Sequence, residues 1–558
     1  MERPWLKYYE EQVPPTIDIP EIPMTQLFDK AVKEYPNHTA VIFFGNKISY
    51  QQLDQLVNQF ASALNYLGVK KGDRVALILP NIPQYPICHW AAMKLGAILV
   101  PTNPLYVERE LEYQLNNSGA ETAVVLDLLA RRVNAVKDKT KLKQIIFTRV
   151  KEYLPPLLKM LYPIKELKEG TRIKIETGDG VYLFADLMNG KYPAPPEVKL
   201  SPDDIALLLY TGGTTGISKG AILTHRNIVA NVLQVKHWLW DIQDGKEVIL
   251  SVLPFFHSYG MTTCQHLAIA SGSAMVLVPR FEIKQILKFI NQYHPTLFPG
   301  VPTMYVAINN YPEVSKYRLS SIRVCVSGGA ALPVEVQKTF EKITGGRLVE
   351  GYGLSETSPV THVNPIFGHR KEGSIGIPIS NTDSQVVDPE SKKVLSVGEI
   401  GELAIKGPQV MKGYWQMEEE TKNALVDGWF FTGDMAKMDE EGYFYIVDRK
   451  KDMILSGGFN IYPREIEEVL FEHPKIMEAA AIGVPDAYKG EVVKVFVVLK
   501  EGETATEQEI IDFCQGKLAK FKLPRYVEFR KELPKSLIGK VLRRVLQEEE
   551  KAKHKPIN

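Results

Sequence analysis

The sequence contains few cysteines, no excess of either charge and no apolar segment at its start. Its four cysteines lie far apart, at positions 88, 264, 325 and 514, with neither metal-ligand spacing nor a dense disulfide pattern. The 67 basic and 66 acidic residues give a net charge of +1, which excludes a global field that would steer the chain onto nucleic acid. The first ten residues carry charges where a signal peptide needs an apolar region. We therefore expect a cytoplasmic protein with reduced thiols.

One stretch without charge, residues 248–279, is long enough to cross a bilayer. Pro254, His257 and His266 interrupt it, and residues 248–253 have the apolar character of a buried strand. We expect a core segment or the wall of an apolar cavity rather than a membrane span.

The pattern of apolar segments predicts an α/β protein with two domains. Short apolar strands alternate with amphipathic helices through about the first 350 residues, whereas residues 373–447 show closely spaced short strands and glycine turns. After residue 448, helix and strand alternate again over a length sufficient for a small domain. The prediction is a large N-terminal domain, residues 1–447, with two α/β lobes and a β-rich lobe, followed by a small mobile α+β domain, residues 448–558.

The segment 151–190 contains an apolar run that prolines break and lysines flank. This composition fits peripheral contact with the inner face of a membrane. The favoured alternative is a surface insertion that packs on its own domain, because the sequence lacks a strong helical moment.

Residues 210–220 form a loop rich in glycine and threonine between two apolar segments. Glycines allow backbone amides to close around an anion, while threonine hydroxyls and Lys219 supply donors and charge for a polyphosphate. The spacing differs from a Walker A loop, because a strand rather than a helix is expected to follow. A simple hairpin turn is the alternative, and phosphate binding is the favoured interpretation.

This loop resembles the signature of the adenylate-forming superfamily, which includes acyl-CoA synthetases, firefly luciferase and amino-acid adenylation domains. The resemblance covers nearly the whole chain and is greatest to bacterial long-chain fatty acyl-CoA synthetases. It continues, in order, through residues 93–104, 253–260, 351–357, 427–434, 446–455, 458–467 and 533–540. It implies two half-reactions: a carboxylate and ATP form an acyl-AMP, and a thiol then takes the acyl group.

The resemblance implies an ATP and AMP site made from several segments. Tyr352 is expected to stack on adenine, Asp434 and Arg449 to bind the ribose, and Glu356 to bind Mg²⁺ with Thr211 as its hydroxyl partner. The implied nucleotide contacts are Thr211, Gly212, Gly213, Thr214, Thr215, Gly216, Lys219, Gly328, Gly329, Ala330, Glu350, Gly351, Tyr352, Gly353, Ser355, Asp434, Ile446, Arg449 and Lys451.

The same resemblance implies the catalytic and moving parts. Lys540 matches the lysine that bridges the carboxylate and the α-phosphate, and Lys451 matches the hinge between domains. His257 matches a histidine near the substrate carboxyl, although a buried, hydrogen-bonded core histidine is an open alternative. The loop expected to serve thioester formation contains Gly457, Gly458 and Phe459.

The uncharged stretch is expected to line the acyl cavity, together with residues 300–306. The pocket residues are His257, Ser258, Met261, Gly300 and Val301. Each buried methylene contributes about 0.8 kcal/mol, which suits a fatty chain. Some long-chain relatives carry a gating tryptophan where this chain has Met261, a lysine at Leu455 and a tryptophan at Asn460. The resemblance therefore does not imply an aromatic gate that controls chain length.

The expected function is therefore ATP-dependent activation of fatty acids, with long-chain substrates expected, to acyl-CoA by a magnesium-dependent enzyme. The partners are fatty acid, ATP and coenzyme A, with no nucleic acid, and the chain is expected to be a monomer or a homodimer. Two alternatives are a fatty acyl-AMP ligase that serves a carrier protein and a non-catalytic fatty-acid or nucleotide-binding protein. The second is disfavoured by the presence of Lys540, Glu356 and Asp434.

Overall fold

The computed structural model describes residues 2–195, 197–211, 218–449, 452–456, 459–486, 488–535 and 541–553. The described strands form one eight-stranded sheet, two four-stranded sheets and two five-stranded sheets. In chain order the strands are β1 Thr39–Phe43, β2 Asn46–Ser49, β3 Arg74–Ile78, β4 Ile98–Pro101, β5 Thr122–Leu126, β6 Gln144–Thr148, β7 Val181–Leu183, β8 Ile205–Thr211, β9 Lys219–Thr224, β10 Val248–Ser251, β11 Ala274–Leu277, β12 Val324–Ser327, β13 Arg347–Gly353, β14 Val360–Val363, β15 Ile377–Pro378, β16 Asp383–Val387, β17 Gly401–Lys406, β18 Gly413–Tyr414, β19 Leu425–Val426, β20 Trp429–Met438, β21 Phe444–Arg449, β22 Ile454–Ser456, β23 Phe459–Ile461, β24 Ile476–Asp486, β25 Gly490–Leu499 and β26 Tyr526–Phe529.

Helices connect the parallel strands and cover the sheets. They are α1 Met24–Glu34, α2 Tyr50–Tyr66, α3 Gln84–Lys94, α4 Glu108–Ser118, α5 Ala130–Lys137, α6 Pro156–Glu169, α7 Phe184–Leu187, α8 His225–Trp238, α9 Ser258–Gly260, α10 Leu267–Ala270, α11 Ile283–Tyr293, α12 Pro302–Asn309, α13 Val334–Thr344, α14 Glu418–Ala424, α15 Pro463–Phe471, α16 Glu507–Cys514 and α17 Arg543–Lys553. Single 3-10 turns occur at Pro4–Tyr8, Asp127–Leu129, Val150–Tyr153, Val314–Lys316, Ser355–Thr357 and Lys520–Lys522, and a π-helix spans Met261–His266.

The eight-stranded sheet has the order β18-β9-β8-β4-β3-β5-β6-β7. Its strands β3 to β6 are parallel, and β8 is parallel to β4, so their carboxyl ends lie at one edge of the sheet. The strands are almost entirely apolar because helices bury both faces of a parallel sheet. Thr211 ends β8 at this edge, where ligands bind in open α/β sheets.

The uncharged stretch forms β10, α9, the π-helix, α10 and β11 in the core. Its strands pair in parallel in a sheet with the order β10-β11-β1-β2. Met261, Leu267 and Met275 are at most 1% exposed. The prediction of a core segment is confirmed, and no helix among the described residues is both long and apolar enough to span a bilayer.

The β-rich lobe contains β16 to β21, and the C-terminal part has its own five-stranded sheet of β22 to β26. The predicted strands around residues 401–406 and 442–447 are present as β17 and β21. A separate apolar cluster, which includes Ile466, Val495 and Ile510, gives the C-terminal part its own core. The architecture thus has the large and small parts that the sequence predicts.

The segment 151–190 packs on its own domain through Leu154, Phe184 and Leu187, as the favoured prediction has it, whereas helix α6 within the segment behaves differently. Rather than packing its apolar side chains on the protein, it turns Tyr162 and Glu166 inward and leaves most of its leucines exposed. The reason is an ion pair: Glu166 is buried because Lys151 lies 3.1 Å from its carboxylate. An internal proline, Pro163, does not interrupt the helix.

Candidate active site

The predicted phosphate loop lies between β8 and β9. These strands pair antiparallel, so that Thr211 is opposite Lys219, and the predicted strand after the loop is present. Gly212, Gly213, Thr214, Thr215 and Gly216 lie outside the described residues. The described ends of the loop thus stand at the carboxyl edge of the large sheet, where ligands bind in open α/β sheets.

Glu356 lies close to Thr211, as the magnesium prediction requires. The hydroxyl of Thr211 is 3.4 Å from the Glu356 carboxylate, and the Tyr414 hydroxyl donates to the same oxygen at 3.0 Å. Glu356 is 8% exposed, and burial raises the pKa of its carboxyl while Tyr414 and Arg449 oppose that rise. A nearby cation would relieve the cost of burying this carboxylate.

The donor set at Glu356 fits magnesium. Mg²⁺ is usually held by one or two carboxylates together with substrate phosphates and water, rather than by a cage of protein ligands. Among the described residues, no group of three or more His, Cys, Asp or Glu could hold a metal without a substrate. Glu356 and the Thr211 hydroxyl beside a phosphate loop are therefore the kind of partial site that this ion prefers.

Lys219 has a partner within the protein. Its ammonium forms an ion pair with Glu420 at the start of α14 and lies 5.2 Å from the centre of the Tyr414 ring. Its side chain is only 13% exposed. A phosphate would therefore have to compete with Glu420 for this cation.

Asp434, Tyr352 and Arg449 form a contact cluster, as their predicted roles around the nucleoside require. The Tyr352 hydroxyl donates to one Asp434 oxygen at 2.5 Å, and Arg449 lies 3.3 Å from the other. Asp434 raises the pKa of the Arg449 guanidinium, and burial raises the pKa of Tyr352 well above its usual value. An ionised carboxylate has about four acceptor positions, so Asp434 retains capacity for ribose hydroxyls.

The strand that carries Tyr352 needs a glycine beside it. A Cβ at Gly353 would lie 2.0 Å from the carbonyl oxygen of Pro359, which only the absence of a side chain allows. Gly351 is buried in the same strand, β13. Glu350 precedes it and accepts a hydrogen bond from the Leu332 amide at 3.1 Å, and burial raises the pKa of its carboxyl to about 7.

Gly328, Gly329 and Ala330, which the family resemblance places along the adenine, form a strip after β12. The Gly328 amide donates to the Gly300 carbonyl at 3.1 Å, which joins the strip to the predicted acyl pocket. Gly329 and Ala330 are exposed, and Gly329 has a φ of +78° that favours glycine. The strip is thus open where the family resemblance places the adenine.

His257 and Ser258 reach the same site from the core. The Ser258 and Ser355 hydroxyls are 3.2 Å apart, which places the start of α9 against the turn that carries Glu356. The His257 ring accepts a hydrogen bond from the Tyr259 amide at 3.3 Å. The predicted carboxyl end of the acyl pocket therefore adjoins the predicted metal-binding turn.

Met261 and Val301 are buried, at 1% and 2% exposure, on the apolar side of this region. Met261 begins the π-helix, a rare geometry that often marks functional sites. Pattern reasoning from the sequence did not predict this geometry.

Ile446 lies in β21 between the lobes. Its carbonyl accepts from the Arg464 guanidinium at 2.8 Å, so its main chain already contacts the C-terminal part. Lys451, Gly457, Gly458 and Lys540 lie outside the described residues, and Phe459 begins β23. Their predicted roles as hinge, thioester loop and catalytic lysine remain predictions.

Tyr414 is the main contributor that sequence reasoning missed. It reaches Glu356 because β18 pairs with β9 at the edge of the large sheet, with Tyr414 opposite Ala221. No spacing in the sequence links residue 414 to residue 356. Lys219 and Glu420, which are also far apart in sequence, meet through the same β18–α14 region.

Comparisons with known proteins show the family of this chain. The family model of AMP-binding enzymes matches residues 28–415, and the model of the AMP-binding enzyme C-terminal domain matches residues 465–540. A long-chain-fatty-acid–CoA ligase from Bacillus subtilis (strain 168) is 46% identical over 555 residues, which cover 99% of each chain.

Two solved structures share the fold. ATP-bound MatB from Rhodopseudomonas palustris is 31% identical with a TM-score of 0.83, and the match covers 96% of this chain and all of that one. The anthranilate CoA ligase AuaEII in complex with anthranoyl-AMP is 25% identical with a TM-score of 0.85, over 96% of this chain and 98% of that one.

This chain belongs to the family of AMP-binding enzymes. The α/β fold with a large N-terminal and a small C-terminal domain is confirmed. The boundary after residue 447 remains a prediction, because the two family models leave residues 416–464 unmatched.

Proposed function

We propose that this protein is an ATP-dependent ligase that converts long-chain fatty acids to acyl-CoA through an enzyme-bound acyl-AMP, with release of AMP and pyrophosphate. The observation that carries the proposal is the meeting of two features at one turn, Ser355–Thr357. Glu356 in this turn is buried beside Thr211, and Ser355 contacts Ser258 at the mouth of an apolar core segment. These contacts support a polyphosphate site and a carboxylate site on either side of the same turn.

In the first half-reaction a fatty carboxylate oxygen attacks the α-phosphate of ATP, and pyrophosphate leaves. Two anions must approach each other, so fixed donors and positive charge dominate catalysis. Glu356 and Thr211 would hold Mg²⁺, which supplies Lewis-acid stabilisation of the phosphates. Lys540 is assigned the bridge between the carboxylate and the α-phosphate.

The nucleoside is assigned to the cluster of Asp434, Tyr352 and Arg449. Asp434 is already oriented by a hydrogen bond from the Tyr352 phenol and an ion pair with Arg449, so it binds ribose hydroxyls with little loss of its own freedom. Hydrogen bonds to a charged group contribute about 1.5–3 kcal/mol each. Tyr352 is assigned the stacking contact with adenine.

The substrate tail is assigned to the uncharged core around Met261 and Val301. Each methylene that leaves water contributes about 0.8 kcal/mol, so affinity should rise about fourfold for each added carbon until the cavity is full. The fatty-acid–CoA ligase activity named for the Bacillus subtilis relative supports this substrate class.

In the second half-reaction the thiolate sulfur of CoA attacks the acyl carbonyl carbon, a thioester bond forms, and AMP leaves. The segment from Gly457 to Phe459 is assigned to this step, and Lys451 to the hinge that brings it into place. The CoA ligases among the relatives and solved structures support CoA as the acceptor.

The test is pyrophosphate release with saturated carboxylates from acetate to palmitate, with and without CoA. The expected result is multiple turnover only with CoA, faster with longer acids, and a palmitoyl-CoA product. Turnover that continues without CoA, or a preference for acetate, would refute the proposal. Glu356→Gln should lose activity, whereas the matched control Asp127→Asn, at another carboxyl whose pKa burial raises, should retain it.

A further inference from the structure

Helix α6 exposes a continuous apolar stripe to solvent. The stripe, called the outward stripe here, consists of Leu157, Met160, Leu161, Ile164 and Leu167, which are 64%, 68%, 45%, 54% and 64% exposed. Their spacing of three and four residues places them on one face of a helix. Large apolar side chains at such exposure, grouped on one face, mark an interaction surface rather than ordinary scatter.

The opposite face of α6 explains why the stripe points outward. Glu166 is buried and lies 3.1 Å from the Lys151 ammonium, and Tyr162 is half-buried on the same side. If the helix were turned over, its leucines would be buried and Glu166 would face solvent. Lys151 would then lack its carboxylate partner. The orientation is therefore fixed by the protein, and the apolar face is what it presents.

The charge around the stripe identifies its partner. Between residues 156 and 176, five basic side chains accompany three acidic ones, a net charge of +2. Glu166 is already neutralised by Lys151, while Glu169 and Glu176 each lie 3.9 Å from a lysine, Lys165 and Lys174. The basic residues are Lys159, Lys165, Lys168, Arg172 and Lys174. An apolar helix face with flanking cations suits an anionic lipid surface.

We propose that the outward stripe of α6 docks the protein on the surface of a membrane that contains anionic phospholipid. The apolar side chains enter the boundary between headgroups and acyl chains, and the flanking lysines contact lipid phosphates. The helix lies in the plane of the interface and does not span the bilayer.

Hydrogen bonds connect the docking helix to the acyl site, whose assignment rests on the proposed function. Lys151, which holds α6, belongs to the same 3-10 turn as Glu152, and Glu152 accepts a hydrogen bond from Gln84 of α3 at 3.0 Å. The next residue, Tyr85, donates to the carbonyl of Phe255 at 3.0 Å, two residues before His257. Docking would therefore hold the fatty-acid site near the lipid that contains its substrate.

The test is the partition of the full-length protein onto vesicles, measured without ATP, CoA or fatty acid, so that its outcome is independent of catalysis. Vesicles of phosphatidylcholine alone are compared with vesicles of equal parts phosphatidylcholine and phosphatidylglycerol. Leu161→Ser combined with Ile164→Ser should lower the partition coefficient on mixed vesicles by about tenfold or more. The control Val394→Ser, at a residue that is 63% exposed in the β-rich lobe, should leave it unchanged.

A second variant separates the electrostatic part. Lys165→Gln combined with Lys168→Gln should lower binding by about fivefold for each lysine on mixed vesicles only, and salt should have the same effect on the wild type. Thermal unfolding of each variant should match the wild type, because the substituted side chains are exposed. Equal vesicle binding by the wild type and the stripe variant would overturn the proposal. Loss of a wild-type dimer in the stripe variant, without vesicle binding by either, would assign the stripe to a second copy of the chain instead.

Discussion

Replacing Tyr414 with phenylalanine tests the assignment of Glu356 to the metal site. The Tyr414 hydroxyl donates to the Glu356 carboxylate at 3.0 Å inside a buried environment. Tyr414→Phe removes this donor and leaves the ring, so the ionised form of Glu356 loses a hydrogen bond while the packing is kept. A hydrogen bond to a charged group contributes about 1.5–3 kcal/mol.

This loss converts directly to a shift in protonation. The hydrogen bond stabilises the ionised carboxylate more than the protonated form, so the pKa of Glu356, already raised by burial, should rise further. At low pH more of the protein then carries a protonated Glu356, which cannot bind Mg²⁺. The acid limb of kcat/KM for ATP should therefore move to higher pH, and the Mg²⁺ concentration needed for half-maximal activity should rise most at acidic pH.

The assay is pyrophosphate release as a function of pH and Mg²⁺ concentration. Tyr445→Phe is the matched control, since its hydroxyl donates to Asp439 at 3.1 Å in the β-rich lobe, and it should leave both profiles unchanged. A uniform loss of activity at every pH in Tyr414→Phe would indicate a structural defect and refute the reasoning.

Three other substitutions test separate parts of the molecule. Lys540→Ala should lower acyl-AMP formation by about 10²–10³-fold, yet supplied acyl-AMP should still react with CoA; loss of both steps in stopped assays would contradict the assignment. For Glu350→Gln, urea unfolding is measured at several pH values. The unfolding free energy of the variant minus that of the wild type should increase by about 3 kcal/mol between pH 4.5 and a pH above 7. Burial raises the pKa of Glu350 to about 7, so its contribution to the stability of the wild type is full below pH 4.5 and is lost as Glu350 ionises at higher pH. Glutamine does not titrate, so the variant lacks this loss. Parallel curves of stability against pH for the two proteins would refute the prediction. Arg543→Ala should cost about 3–5 kcal/mol in urea unfolding because it leaves Asp448 and Glu467 buried without their cation, and a cost below 1 kcal/mol or so would show that the network is solvated.

The sequence predicted the parts of the fold that depend on local pattern. Residues 205–211 and 219–224 are apolar runs around a glycine-rich loop, and they form the expected pair of strands, β8 and β9. The stretch 248–279 lacks charge and is buried as expected. In each case the identity of the side chains alone determines whether a segment enters the core.

The contacts that sequence reasoning missed depend on long-range pairing. Tyr414 meets Glu356 only because a two-residue strand, β18, joins the edge of the large sheet. Likewise, the orientation of α6 follows from the Lys151–Glu166 ion pair, which joins residues 15 positions apart. Short strands and single ion pairs carry too little sequence signal to be predicted, although they determine which groups meet.

Strand β21 shows how the nucleotide site and the C-terminal part are joined. Neighbouring residues in a strand point to opposite faces, so Asp448 and Arg449 face different partners. Arg449 lies 3.3 Å from Asp434, while Asp448 accepts from the Arg464 amide at 3.0 Å and lies 3.3 Å from Arg543. We therefore expect a movement of the C-terminal part that pulls on Asp448 to shift Arg449, the next residue, relative to the proposed ribose site. Such a coupling between the small domain and nucleotide binding would pass through one peptide unit, without a longer chain of contacts.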